Sequence, residues 1–86
     1  MNKEIIIRKA DGVTNRDAAA LVQRAMRFDS EIYIEQGSKR INCKSIMGVL
    51  SLGLKKGSTI TLMAHGDDQE DAIYDLNRLI DHDFLL

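Results

Sequence analysis

Ser45 is the residue whose neighbours point most clearly to a chemical role. A largely apolar stretch, residues 46–52, follows it and is typical of a short helix. A hydroxyl at the start of a helix accepts hydrogen bonds from free amide groups, so we expect Ser45 to be a helix N-cap. Lys44 places a cation beside it, and residues 1–57 hold 11 basic and 6 acidic side chains. A phosphate group on Ser45 would therefore meet a positive helix end and a lysine.

A second group of polar residues starts at Thr14. Thr14 and Asp17 are three residues apart and precede a stripe of apolar residues. This spacing predicts a capping box, in which a hydroxyl and a carboxylate satisfy free amides at the start of a helix. Asp17 also places a negative charge at the positive end of the helix dipole. The sequence thus predicts that a helix begins directly after Thr14.

The remaining residues with reactive side chains do not form a recognisable site. His65 and His82 lie 17 residues apart, and no third metal ligand is near them in the sequence. Cys43 is the only cysteine, which excludes an internal disulfide, and its place in an alternating stretch predicts a small core residue. The acidic residues Asp67, Asp68, Glu70 and Asp71 are expected to cap a helix and complement the dipole at its start. We predict no catalytic residues, no metal site and no cofactor.

The composition indicates a small protein with one hydrophobic core. The chain has 86 residues, a formal net charge of −1 and 44% hydrophobic residues, and we expect residues 1–86 to form a single domain. No apolar run approaches the ~20 residues that a membrane span requires, and the start of the chain does not resemble a signal peptide. The near-zero charge and few aromatic residues argue against direct nucleic-acid binding. We predict a cytoplasmic protein without membrane contacts.

Four stretches of alternating hydrophobic residues predict strands. They are residues 4–8, 31–35, 40–43 and 59–64. The short polar segment 36–39 makes the middle two strands a hairpin. The side chains expected to face the core are Ile5, Ile7, Ile32, Ile34, Ile41, Cys43, Ile60, Leu62 and Ala64.

Apolar residues spaced three and four positions apart predict three helices. They begin after Thr14, at Ile46 and after Asp67 or Asp68, and the second spans residues 46–52. The long helices are expected to bury Ala18, Leu21, Val22, Ala25 and Phe28 in the first, and Ala72, Ile73, Leu76 and Ile80 in the last. The order βαββαβα with short connections favours an α+β fold, an antiparallel sheet with helices on one face.

The sequence around Ser45 resembles a known family. Lys44-Ser45-Ile46-Met47-Gly48, followed by Val49-Leu50-Ser51-Leu52-Gly53, resembles the regulatory-serine segment of HPr, the phosphocarrier family of the bacterial sugar phosphotransferase system. The similarity extends over essentially the whole chain. It implies the open-faced β-sandwich of HPr, with four antiparallel strands in the spatial order one, four, two, three and three helices over one face.

The carrier site of the family is altered in this chain. HPr proteins carry the phosphoryl group on a histidine in a Gly-[Ile/Leu]-His-Ala-Arg-Pro-Ala motif, and this chain has Thr14 at the histidine position and Asp17 at the proline position. An imidazole forms a high-energy phosphoramidate, whereas a threonine phosphate is a stable ester. The charge of Asp17 would also repel a phosphoryl group. Arg16 survives from the motif as a candidate phosphate ligand; otherwise it pairs with Asp17 or is solvated.

The resemblance implies a regulatory role. The Crh branch of the family lacks the histidine and keeps the serine, although Crh proteins usually have glutamine at the Thr14 position. In this family a bifunctional HPr kinase/phosphorylase modifies the serine that corresponds to Ser45, and the product acts as corepressor of catabolite control protein A. These two proteins are the expected partners.

We expect Ile46, Met47 and Leu50 to form the apolar surface on which these partners dock, because Val49 and Leu52 suffice as the buried stripe of the short helix. Alternatively, one or two of these three residues fill the core.

Two other functions stay open at this point. One is a phosphocarrier that uses an atypical residue, which Thr14 and Asp17 argue against. The other is a small protein-interaction module, a degenerate HPr, that acts without phosphorylation. A homodimer formed by exchange of the first strand also stays open, because that strand is expected at a sheet edge and is followed by Asp11-Gly12 as a hinge.

Overall fold

A computed structural model describes all residues from Met1 to Leu86, and its four strands form one antiparallel sheet. The strands are β1 (Asn2–Ile6), β2 (Glu31–Gln36), β3 (Lys39–Asn42) and β4 (Thr59–His65). They lie in the order β1, β4, β2, β3, so β1 and β3 are the edge strands. The sheet and its strand order agree with those implied by the resemblance to HPr.

The registers of the strands place the alternating apolar residues on one face. Ile5 lies opposite Ile60 between β1 and β4, and Leu62 lies opposite Ile34 between β4 and β2. All four side chains are buried. Because side chains alternate between the two faces of a strand, this register places the predicted inward residues against the helices. Ile41 differs from the others, since it is only half-buried near the edge of the sheet.

Three α-helices cover that face. They are α1 (Asn15–Ala25), α2 (Ile46–Ser51) and α3 (Gln69–Asp81), and a single 3-10 turn follows at Asp83–Leu85. The apolar stripes of α1 and α3 pack on the sheet in one cluster of 20 buried residues. The helix starts predicted after Thr14 and Asp68 and at Ile46 are confirmed. None of the helices has the length and apolar composition of a membrane-spanning segment.

The structure differs from the predicted bounds of several elements and adds one short element. β1 begins at Asn2 rather than at residue 4, because its polar first residues also pair with β4. Helix α1 ends at Ala25, so Phe28 packs against the core from the following turn instead of from the helix. The 3-10 turn at Asp83–Leu85 was not predicted, since three residues are too few to have a recognisable period.

Candidate functional site

A tight turn after β3 sets the position of Ser45. The Asn42 side chain accepts a hydrogen bond from the Lys44 backbone N–H at 2.9 Å, and the Asn42 carbonyl accepts one from the Ser45 N–H at 3.0 Å. Ser45 is therefore extended, with φ −112° and ψ 114°, and α2 begins at the next residue. Its Oγ accepts a hydrogen bond from the Gly48 N–H at 3.1 Å. Ser45 is thus the N-cap that the sequence predicts.

Gly48 keeps the space around this hydroxyl open. A Cβ atom at position 48 would lie 3.3 Å from both the Cβ and the Oγ of Ser45, and 3.4 Å from Ile41. These distances are tighter than ordinary van der Waals contact, so a larger residue would press on the Ser45 side chain. The sequence carried a signal for this role, because glycine is unfavourable inside a helix unless a neighbouring group requires the space.

The apolar residues of α2 divide into a buried and an exposed set. Val49 is 1% exposed and Leu52 is also buried, as the stripe predicts. Met47 is 73% exposed and Ile46 37%, and they are the next two residues after Ser45. Leu50 is half-buried and packs against the core. The apolar surface beside Ser45 therefore consists mainly of Met47 and Ile46, with Leu50 at its margin.

The ammonium group of Lys44 forms a hydrogen bond with the segment that follows α1. Its Nζ donates a hydrogen bond to the Phe28 carbonyl oxygen at 2.8 Å. Phe28 lies in the segment after α1, three residues beyond the end of that helix at Ala25. In the unphosphorylated protein, Lys44 thus joins the residues before α2 to the segment that follows α1.

The segment that corresponds to the carrier motif forms a capping box at the start of α1. Thr14 Oγ1 accepts from the Asp17 N–H at 3.1 Å, and the Thr14 N–H donates to Asp17 Oδ2 at 3.2 Å. The Asp17 side chain is only 12% exposed, and its Oδ2 lies 3.1 Å from the Lys9 ammonium. Arg16 is exposed and forms no ion pair, so the partner of Asp17 is Lys9. Sequence reasoning missed Lys9.

The other polar candidates lie apart from this region. Cys43 is completely buried, and burial raises the pKa of its thiol to about 12, an effect that the charge of Lys44 opposes only in part. His65 is exposed at the end of β4, and His82 Nδ1 lies 3.2 Å from Asp83. No group of three histidine, cysteine, aspartate or glutamate side chains is arranged to hold a metal ion.

Comparison with known proteins gives a family match over nearly the whole chain. The family model described as the PTS HPr component phosphorylation site matches residues 1–82. The HPr-like protein Crh of Halalkalibacterium halodurans is 45% identical over 73 residues, which cover 85% of this chain and 87% of that protein.

Solved structures agree with the sequence match. The crystal structure of HPr-C-His from Thermoanaerobacter tengcongensis has a TM-score of 0.92 and 43% identity, over 98% of this chain and 94% of that one. Crh of Bacillus subtilis has a TM-score of 0.77 and 36% identity, over 98% of this chain and 95% of that one. Its crystal structure is described as a dimer with a swapping domain.

Proposed function

Because the chain belongs to the HPr family, we propose that it is a regulatory protein of the Crh type and not a phosphocarrier. In this proposal, an HPr kinase/phosphorylase transfers a phosphate group from ATP to Ser45 in the cytoplasm. The phosphorylated protein then acts as corepressor of a catabolite control protein A-type repressor in carbon catabolite repression, and it catalyses no reaction itself. The position of Ser45 as N-cap of α2, next to exposed apolar side chains, is the observation that carries the proposal.

The hydrogen bonding of Ser45 supports modification without refolding. Its hydroxyl accepts a hydrogen bond from Gly48 and donates none to another protein group. A phosphate ester keeps oxygen acceptors at this position, and the first amides of α2 have no intrahelical acceptors. Phosphorylation therefore adds charge to a site whose backbone already suits an anion.

The surface beside Ser45 supports recognition by a protein. Met47 and Ile46 expose apolar area directly after the residue that would carry the phosphate. Interfaces commonly combine a few apolar anchors with charged groups that fix specificity. A repressor that contacts both would bind strongly only when the phosphate is present.

The carrier alternative is disfavoured by the chemistry at position 14. Thr14 offers a hydroxyl where the family motif has the imidazole that carries the phosphoryl group. Its phosphate would be a stable ester that is not readily passed on, and Asp17 adds a negative charge close by. Neither residue supports reversible phosphoryl transfer.

Incubation with HPr kinase and ATP, followed by intact-mass measurement, tests the proposal. We expect one phosphate group, located at Ser45 by peptide mapping and absent from Ser45→Ala. Ser51 is a matched internal control, because its hydroxyl donates to the Gly48 carbonyl at 2.6 Å and phosphorylation would break that bond. Modification of Ser51 with Ser45 unmodified would contradict the assignment.

A homodimer by exchange of β1 is the second part of the proposal. β1 is an edge strand, and residues 7–14 connect it to α1 without regular secondary structure. Such a strand exchanges between two copies if the connection opens as a hinge. Sedimentation at increasing protein concentration checks this: we expect a dimer that separates slowly on dilution, and a monomer at every concentration would contradict it.

A further inference from the structure

A cavity of about 330 Å³ lies on the face of the sheet that no helix covers. Its lining includes Glu31, Tyr33, Arg40, Met63 and His65, and it is found where β2 begins and β4 ends. These side chains alternate along their strands with buried and half-buried residues of the core, so they point away from the helices. Pockets for small molecules commonly span about 300 to 1,000 Å³, so this cavity suits a small ligand.

Tyr33 and Met63 form the apolar floor of the cavity. The two residues are directly opposite each other in the register of β2 and β4, and both are half-buried. The Tyr33 hydroxyl donates a hydrogen bond to Glu31 Oε2 at 2.8 Å. This hydrogen bond, followed by the charge of Glu31, raises the pKa of Tyr33, so the phenol remains a neutral donor. The ring is therefore held in place at its hydroxyl end.

Arg40 lies over the Tyr33 ring with its hydrogen-bond donors unused. Its Cζ atom is 4.4 Å from the ring centroid. Glu35 is its direct neighbour across β2 and β3, yet the guanidinium forms no ion pair with that carboxylate and no hydrogen bond to another group of the chain. Stacking thus positions a planar cation at the cavity, and a guanidinium binds a carboxylate through two parallel hydrogen bonds.

Glu31 supplies the opposite charge beside the same ring. Its Oε2 accepts from Tyr33, which leaves Oε1 without a partner in the chain. His65 is opposite Glu31 in the register, but the two side chains form no ion pair. A simple anion in the cavity would be repelled by Glu31, and a simple cation would be repelled by Arg40. The two charges together complement a ligand that carries both signs close to each other.

We propose that this cavity binds a free amino acid with an apolar side chain. Its carboxylate lies on Arg40, its ammonium lies on Glu31, and its side chain covers Tyr33 and Met63. An amino acid fits because its two charged groups are attached to one carbon atom, and Arg40 and Glu31 are both held against one phenol. The cavity is on the opposite side of the sheet from α2, so binding requires no phosphorylation of Ser45, and failure of either test leaves the other unaffected.

Titration of the unphosphorylated protein with L-phenylalanine at neutral pH, followed through the NMR amide signals of Tyr33 and Met63, tests the proposal. We expect a saturable shift of these signals. Arg40→Gln and Glu31→Gln should each weaken binding about fivefold or more, because each removes one charge-assisted hydrogen-bonding partner. The glutamine side chain at position 31 keeps an oxygen that can accept from Tyr33, so the ring stays in place. Absence of a saturable shift in the parent protein would overturn the proposal.

Glu35→Gln and Lys39→Gln are the matched control variants. They make the same changes of charge on the same two strands, but neither side chain lines the cavity. Both variants are expected to bind phenylalanine as the parent protein does. An equal loss of affinity in these controls would mean that net charge, and not the cavity, determines binding, and the proposal would then be wrong.

Two analogues of phenylalanine separate the charges of the ligand. 3-Phenylpropanoate lacks the ammonium and 2-phenylethylamine lacks the carboxylate, so each should bind about fivefold or more weakly than phenylalanine. 3-Phenylpropanoate should lose no further affinity in Glu31→Gln, and 2-phenylethylamine should lose none in Arg40→Gln. If 3-phenylpropanoate binds the parent protein as tightly as phenylalanine does, the cavity recognises only an anion, and the assignment to amino acids is overturned.

Discussion

The carboxylate of Asp68 receives two hydrogen bonds from Ser30, one from its backbone N–H at 2.9 Å and one from its hydroxyl at 2.5 Å. The Asp29 N–H adds a third at 2.8 Å. Asp68 precedes α3 but makes no side-chain hydrogen bond to that helix. It instead joins the start of α3 to the turn before β2, two segments that are far apart in the sequence.

Replacing Asp68 by Asn is expected to lower stability at neutral pH. The hydrogen bonds from Ser30 and then from Asp29 lower the pKa of Asp68 in the folded protein. Since the folded pKa is below the unfolded one, the carboxylate contributes stability above the unfolded pKa, and this contribution is lost as the pH falls through the folded pKa. Urea unfolding at neutral pH, and at acidic pH well below the ordinary aspartate pKa of about 4, measures the difference.

The variant and the parent should converge in stability at low pH, where Asp68 is protonated in both states of the parent. Asp67→Asn is the matched control, because Asp67 is an exposed neighbour and forms no ion pair. It should leave the stability at neutral pH nearly unchanged. A constant difference between Asp68→Asn and the parent at every pH would mean that the contribution does not depend on the carboxylate charge.

Cys43 is expected to be unreactive in the folded protein. Its thiol is buried and its pKa is raised to about 12, so almost none of it is thiolate at pH 8. A thiol reagent such as Ellman's reagent should modify it only as fast as the protein opens, and rapidly in denaturant. Fast modification at pH 8 without denaturant would show that the edge of the sheet near β3 opens locally.

The strands and helices could be predicted where buried residues recur at regular intervals along the sequence. In β2 and β4 every second residue is buried, because one face of each strand lies against the helices. The sequence shows the same alternation, at Ile32 and Ile34 in β2 and at Ile60 and Leu62 in β4. The capping box of Thr14 and the N-cap of Ser45 were also predictable, since both depend on residues within one turn.

The contacts that join the elements were not predictable in this way. Lys9 reaches Asp17 through a folded turn, Lys44 reaches the Phe28 carbonyl, and Asp68 binds Ser30. Each pair is set by how whole elements pack, and nothing in the spacing of these residues selects one partner over another. Arg16 illustrates the difficulty: it is adjacent to Asp17 in the sequence, yet the ion pair is made by Lys9.

Enzyme I and phosphoenolpyruvate are expected to transfer no phosphoryl group to the protein, because position 14 has no imidazole. Thr14→His alone should recover little acceptance, since the Asp17 carboxylate remains at the helix start. Adding Asp17→Pro restores the proline of the family motif at position 17 and removes the carboxylate, so it should recover more. Labelled phosphate measures acceptance, and label that is stable to base and labile to acid on the unmodified protein would contradict the prediction.

Met47 and Val49 separate recognition from stability within one short helix. Met47 is 73% exposed and Val49 1%, so truncating each to alanine removes different kinds of contact. Val49→Ala should destabilise the protein by about 0.5 to 3 kcal/mol, because it leaves a gap under α2. Met47→Ala should leave the melting temperature nearly unchanged, since its side chain has few contacts to lose.

Binding of the phosphorylated variants to a catabolite control protein A-type repressor should follow the opposite order. A truncated interface anchor commonly costs about 2 kcal/mol, roughly thirtyfold in affinity, so Met47→Ala should weaken binding strongly while Val49→Ala binds nearly as the parent does. Calorimetric titration at a temperature where both variants are folded measures the affinities.

Arg16→Ala is a third informative variant, because Arg16 is exposed and forms no ion pair. Weaker binding of this variant would mean that this remnant of the carrier motif contacts the partner. If Met47→Ala binds as tightly as the parent, the exposed apolar surface of α2 is not the docking surface, and the partner must approach Ser45 from another side.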